Sequence, residues 1–184
     1  NETAYEQFSA RSQNWKNIFN TATGHIDARN RNGFLNTSLT TQGAQFEQST
    51  GYQYGFNVAH NMADLIDLRG GTDEATEQLD HILRDLDAGA FSDAAYIANQ
   101  PSFGLPWVYN WLQAPHKTTE TLYRAADELF TTDPDGLFGN DDLWPFSAWY
   151  GWSNICLMPA ICVTADLPVS APMLTHLSLT SPRS

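Results

Sequence analysis

Positive charge is scarce in this 184-residue chain, which has nine lysines and arginines against 21 aspartates and glutamates. The formal net charge is −12 at pH 7, and Lys16 and Lys117 are the only lysines. A phosphate backbone is held by clustered basic side chains, so this composition argues against nucleic acid as a partner.

Long apolar runs are also missing. Residues 155–163 form one of the longest such runs, and it is far shorter than the roughly 20 residues that a membrane-spanning helix requires. We therefore expect no membrane span.

The compartment is indicated only weakly. Residues 1–3 (Asn-Glu-Thr) and 36–38 (Asn-Thr-Ser) match the N-glycosylation acceptor pattern. Together with the acidity and the scarcity of lysine, they favour a secreted or periplasmic protein. The two cysteines, Cys156 and Cys162, are compatible with a bridge across a short loop and with free thiols, so they add nothing to this choice.

Apolar residues recur at helical spacing through most of the chain, and 42% of the residues are hydrophobic, enough for the core of one domain. The periodicity predicts a helix over 3–20 and a helical hairpin on either side of Gly70-Gly71. A second hairpin is predicted around Pro115, and an aromatic helix over 147–154.

Two stretches lack this periodicity. Residues 24–51 are rich in Asn, Thr, Ser, Gln and Gly and are predicted to form a long functional loop. Residues 164–179 contain prolines and β-branched residues and predict a turn with a short strand. The fold class is therefore mainly α, built from helical hairpins, with a short β segment at the C-terminus.

The densest polar cluster is 133–142, with the sequence DPDGLFGNDD. Its glycine spacing does not match an EF-hand calcium loop. Taken alone, the cluster is more typical of turns, with Asp141 or Asp142 capping the next helix. His60 is a possible base or ligand, although a single histidine is more often packed and hydrogen-bonded.

Several motifs together resemble glycoside hydrolase family 92, the calcium-dependent exo-acting α-mannosidases. The strongest is GNDDL followed by SAWY, at 139–143 and 147–150. The segment QYGFNVAHNMADLIDLRGG at 53–71 is similar to the family's QY-x-W-x-VPHD-x-x-GLI-x-L-x-GG. Further segments agree in order and spacing: SQNWKNIF (12–19), RNRNGF (29–34), NQPSFGLPWVYNW (99–111), PHKTTE (115–120) and TADL (164–167).

The resemblance implies an (α/α)6 toroid and hydrolysis with inversion at the anomeric carbon. It implies that residues 1–184 form a single partial domain, the C-terminal half of that toroid, without the family's N-terminal β-sandwich. The remainder of the same enzyme is then a possible partner, a mannose-containing glycan the substrate, and Ca²⁺ the cofactor.

The resemblance also assigns roles to residues. Asp142 corresponds to the general base, Asn140 or Asp141 would help to position it, and Gln48 aligns with the general acid. Asn99 and Gln100 lie near the metal position. Residues expected beside the substrate are Phe103, Trp149, His60 and Asn61.

Departures from the family pattern leave two hypotheses open. Gln48, Gln100 and Asn61 are amides where the family has acids, and an amide cannot donate a proton as a carboxylic acid does. Trp144-Pro145-Phe146 replaces a segment that begins with glycine and is expected to crowd the site wall. The chain is thus either part of an α-mannosidase or an inactive, mannoside-binding remnant or fragment of a larger enzyme.

Overall fold

The computed structural model describes residues 2–35, 45–160, 166–178 and 180. Within these ranges the regular structure is mainly helical, with short strands near the N-terminus. The helices are α1 (Glu2–Ser12), α2 (Met62–Leu68), α3 (Thr72–Ile82), α4 (Pro115–Glu128) and α5 (Pro145–Asn154), and the strands are β1 (Phe19–Asn20), β2 (His25–Ile26), β3 (Arg29–Asn30) and β4 (Gly33–Phe34). In the described ranges, 3₁₀ segments cover Asn14–Ile18, Ala59–Asn61 and Gln100–Asn110.

The predicted N-terminal helix is too long. Helix α1 ends at Ser12, and the chain continues through a 3₁₀ segment into strand β1. After β1, the Asn20 side chain accepts a hydrogen bond from the Ala22 amide (3.0 Å), and the Asn20 carbonyl accepts one from the Gly24 amide (2.8 Å). These bonds close a tight turn between β1 and β2. Helix α1 itself buries no side chain.

The segment predicted as a long loop (24–51) contains one antiparallel hairpin and the second strand of another, whose first strand, β1, lies in the stretch predicted as helix. Strand β1 pairs with β2, with Phe19 opposite Ile26, and β3 pairs with β4, with Arg29 opposite Phe34. Strands of two residues are too short for an alternating pattern to reveal them. Residues 36–44, including the predicted sequon at 36–38, lie outside the described residues.

The first helical hairpin is confirmed, with a later start. Residues 54–58, predicted to be helical, form turns, and α2 begins only at Met62. Helix α2 ends before Gly70 and Gly71, whose φ angles of +105° and +96° favour glycine. Helix α3 then packs Leu79, which is fully buried, into the core.

The second hairpin forms the centre of the core, but its first arm is 3₁₀ and not α. Gln100–Asn110 contains Pro106 in its interior, where proline lacks the amide donor that an α-helix needs. Helix α4 packs along this segment. Trp107 and Leu122 lie between them and are at most 1% exposed.

In the described residues of the C-terminal segment, the β structure is one antiparallel bridge, between Leu157 and Val169. Cys156 is buried and its thiol is free, whereas Cys162 lies outside the described residues, as do 161–165 and 179. In the part of the chain that the structure describes, no helix is long and apolar enough to span a membrane.

Candidate functional site

Five of the ten predicted site residues meet around one cavity of about 310 Å³. They come from three loops that are far apart in sequence: Gln48, then Asn99 and Gln100 at the start of the 3₁₀ segment, and Asn140 and Asp142 before α5. The fold therefore brings together the loop residues that the motifs predicted separately.

Gln100 and Asp142 are joined directly across this cavity. The Gln100 amide donates to Asp142 Oδ2 (2.7 Å) and to the Asn140 carbonyl (3.3 Å). A glutamate at this position would place two carboxylates at this distance, an arrangement that requires a shared proton or a bound cation. The Gln100 amide donates to one oxygen of the Asp142 carboxylate, and Asp142 lines the cavity.

Asn99 anchors the backbone of Gln48, which forms part of the cavity wall. It is 6% exposed, and its amide donates to the Gln48 carbonyl (3.1 Å) and to the Tyr54 hydroxyl (2.8 Å). Gln53 fixes the loop that contains the lining residues Ala90 and Phe91. It is fully buried and donates to the carbonyls of Gly89 (2.8 Å) and Ala94 (2.9 Å), on either side of them. Sequence reasoning used Gln53 only as part of a motif, and nothing in the residue pattern indicates this clamp.

Asp141 caps helix α5 with its side chain, although the N-cap position, predicted to be Asp141 or Asp142, is occupied by Trp144. One carboxylate oxygen accepts hydrogen bonds from the amides of Phe146 (3.0 Å) and Ser147 (3.3 Å), and the other accepts one from the Ser147 hydroxyl (3.3 Å). This cap fixes the backbone on which Asp142 lies. Gly139 allows the same loop to approach closely, since a Cβ there would lie 3.1 Å from the Ala98 carbonyl oxygen.

Phe103 and Trp149 contact each other and do not line the first cavity. The Trp149 indole donates to the Phe103 carbonyl (3.0 Å), and the two ring centroids are 5.7 Å apart. Trp149 is only 2% exposed, so it packs in the core. Phe103 lines a second cavity, of about 420 Å³, which shares Gln100 with the first.

His60 and Asn61 are not brought to the first cavity. His60 Nε2 lies 2.9 Å from the Ser12 carbonyl, and the Asn61 amide donates to Gln13 (3.0 Å) and to Asp64 (2.9 Å). Lys16 pairs with the same Asp64 oxygen at 2.5 Å, and its hydrogen bond holds the pKa of that carboxyl below its ordinary value. We call Gln13, Lys16, His60, Asn61 and Asp64 the surface cluster.

Phe91 was missed by sequence reasoning. It is 50% exposed, lines the first cavity and has a left-handed backbone (φ +66°). Gln48 (φ +57°) and Asp142 (φ +35°) share this unusual backbone. Because L-residues adopt such angles at a cost of about 1–2 kcal/mol, the walls of the cavity store conformational strain.

A family model of the glycosyl hydrolase family 92 catalytic domain matches residues 1–184. The chain belongs to this family. Family 92 membership explains why the separate motifs agree in order along the sequence.

The relatives agree with this assignment. A curated relative, described as an uncharacterized secreted glycosidase of Arthroderma benhamiae, is 26% identical over 180 residues, covering 84% of this chain and 22% of its own length. A family GH92 α-mannosidase of Bacteroides thetaiotaomicron has a structure similar to that of this chain. Its TM-score is 0.84, at 21% identity, over 93% of this chain and 23% of that one. A structure of that α-mannosidase in complex with mannoimidazole matches at the same TM-score.

A family GH92 inverting mannosidase of Bacteroides thetaiotaomicron VPI-5482 matches with a TM-score of 0.77 and 20% identity, over 91% of this chain and 25% of that one. These likenesses show the fold, and they confirm that the helical hairpins belong to the toroid of family 92 enzymes. The chain spans about a quarter of the length of these relatives.

Proposed function

We propose that this family 92 chain supplies one side of an α-mannoside site in a secreted exo-acting glycoside hydrolase. The observation that carries the proposal is the convergence of Gln48, Asn99, Gln100, Asn140 and Asp142 on one cavity. Amide and carboxylate groups are suitable hydrogen-bond partners for the hydroxyl groups of a sugar. The 184 residues then form one partial domain, and the rest of the same enzyme is its partner.

Asp142 is the proposed general base. In an inverting glycosidase, a carboxylate takes a proton from water on the face of the sugar opposite the leaving group. The Gln100 amide orients the carboxylate by donating to Asp142 Oδ2, and the carboxylate keeps lone pairs that can accept this proton. Asp141, engaged in the helix cap, positions Asp142 and does not itself take part.

Calcium does not fit the described residues. Ca²⁺ takes six to eight oxygen ligands, usually with several carboxylates. The cavity offers one carboxylate, Asp142, with the neutral amide oxygens of Asn99 and Gln100. In the described part of the chain, no three His, Cys, Asp or Glu residues are grouped to hold a metal ion. We therefore derive no step through a metal.

Binding of mannosides without turnover is the second candidate, and Gln48 favours it. Gln48 lines the cavity and aligns with the general acid of the family pattern, but its amide N–H is too weakly acidic to protonate a leaving oxygen. A protein with this residue keeps the hydrogen-bonding wall and lacks the acid.

Mannose release by the intact protein separates the two candidates. Wild type and Gln48→Glu are incubated with α-linked mannobioses, released mannose is quantified, and its anomeric configuration is followed by NMR. Turnover by wild type, with β-mannose appearing first, supports the hydrolase. Turnover by Gln48→Glu alone, with both proteins binding the sugar, supports the binding protein. Absence of both binding and turnover contradicts the proposed function.

A further inference from the structure

Backbone strain is concentrated at the Asp142 cavity. Among the described residues, seven non-glycine residues have positive φ, and five of them are Gln48, Phe91, Asp142, Leu143 and Trp144. The first three line the cavity, and the last two directly follow Asp142. Strain of this kind persists where the surrounding structure enforces it, and it clusters at binding and active sites.

Trp144 is the least expected of these residues. Its φ is +73°, and it precedes Pro145, although a residue before proline is biased towards extended backbone. Its side chain is 77% exposed and does not line the cavity, contrary to the expectation that it would crowd the wall. The neighbouring Phe146 is the one that packs inwards, fully buried with its ring centroid 5.0 Å from Phe103.

An exposed indole on a strained backbone gains little from the packing of this structure. The place of Trp144 in the sequence offers an explanation for this exposed side chain. Two peptide units separate Trp144 from Asp142, so the two Cα atoms lie within about 7 Å of each other. Phe91, half-exposed, lines the same cavity. The cavity thus has one half-exposed aromatic ring in its lining, Phe91, and a second exposed aromatic residue, Trp144, two positions along the chain from Asp142.

We propose that Trp144 is a stacking platform for the second sugar ring of a bound glycan, the ring next to the terminal mannoside. This inference rests on the proposed function, since the terminal ring is taken to occupy the cavity beside Asp142. A pyranose has one apolar C–H face, which packs on an aromatic ring while its hydroxyls reach polar groups. The amides of the cavity supply the polar groups, and Trp144 supplies a flat apolar surface beyond them.

The test compares one-ring and two-ring ligands on the intact protein. Dissociation constants of methyl α-mannoside and of α-linked mannobioses are measured by calorimetry for wild type, Trp144→Phe and Trp144→Ala. We expect Trp144→Ala to weaken mannobiose binding about tenfold, from the usual strength of an aromatic contact, and to leave the one-ring ligand within twofold. Trp144→Phe retains a ring and should lose less.

Two controls separate stacking from strain and from general aromatic exposure. Trp144→Gly removes the ring and relieves the left-handed backbone, so it should match Trp144→Ala in binding while being more stable to heat. Tyr5→Ala removes an aromatic side chain of similar exposure (74%) on α1 and should change neither constant.

The outcomes distinguish this inference from the proposed function. If wild type binds mannobiose and Trp144→Ala binds it equally well, the platform alone is overturned. If wild type binds no mannoside but shows a Trp144-dependent fluorescence change with maltose, the mannoside assignment is overturned and the platform is supported. A protein without any Trp144-dependent response to these sugars overturns the inference.

Discussion

The Asp142 cavity and the surface cluster both place an amide against a carboxylate, yet their surroundings differ. Gln100 donates to Asp142 at 2.7 Å, and Asn61 donates to Asp64 at 2.9 Å. Asp64 also pairs with Lys16, whereas none of the ion pairs among the described residues includes Asp142. In the surface cluster, the charge of Asp64 is compensated by Lys16. In the cavity, the carboxylate of Asp142 has no ion-pair partner among the described residues.

Removal of each carboxylate gives the largest expected contrast. If the protein hydrolyses α-mannosides, Asp142→Asn should lower kcat at least about 100-fold, since a general base contributes 10²–10⁴-fold. Asp64→Asn should leave kcat within twofold. The measurement is the rate of mannose release under saturating substrate, with sugar affinity as a check on folding. Equal losses in the two variants would contradict the distinction between the regions.

Replacing each amide by its acid should give a smaller contrast, in stability. Gln100→Glu sets a second carboxylate against Asp142, and we expect a loss of about 1 kcal/mol in the free energy of unfolding at pH 7. Asn61→Asp has Lys16 nearby and should lose only a few tenths, as is usual for exposed pairs. Urea denaturation measures both.

The pH dependence of Gln100→Glu has a definite sign. Asp142 should raise the pKa of the introduced carboxyl in the folded state, so the native protein binds more protons than the unfolded one and stability falls as pH rises. Relative to wild type, the variant should recover stability between pH 7 and pH 4. A constant difference across this range would show that the two carboxylates move apart.

The smallest expected effect comes from removing the positive charge of Lys16, which compensates Asp64. The Lys16 hydrogen bond is the main cause of the lowered Asp64 pKa, so Lys16→Met should raise that pKa towards its ordinary value. The depressed pKa contributes stability above the unfolded-state value, and this is lost as pH falls through the folded pKa. An NMR titration of the Asp64 carboxyl measures the shift, and an unchanged pKa would show that Asn61 alone sustains it.

The sequence predicted the helical elements better than the irregular ones. Gly70-Gly71 and Pro115 marked real helix boundaries because their backbone requirements are local. The short hairpins after α1 escaped prediction, since two-residue strands carry no periodicity.

The candidate site was predictable in part, through the family motifs. Gln48, Gln100 and Asp142 were named from them, and the fold brings these residues together. Phe91 and the Gln53 clamp depend on loop packing between distant segments, which no local pattern encodes. The left-handed backbone of Trp144 and its exposure are likewise not encoded by a local pattern.

A crystal structure of the intact protein with mannoimidazole, the ligand bound in a related α-mannosidase structure, would show where the sugar binds. We expect the sugar ring in the Asp142 cavity, within hydrogen-bond distance of Asn99, Gln100 and the Asp142 carboxylate. A ligand seated instead on the surface cluster around His60 and Asn61, or away from the loops that carry Gln48 and Asp142, would contradict the proposed site.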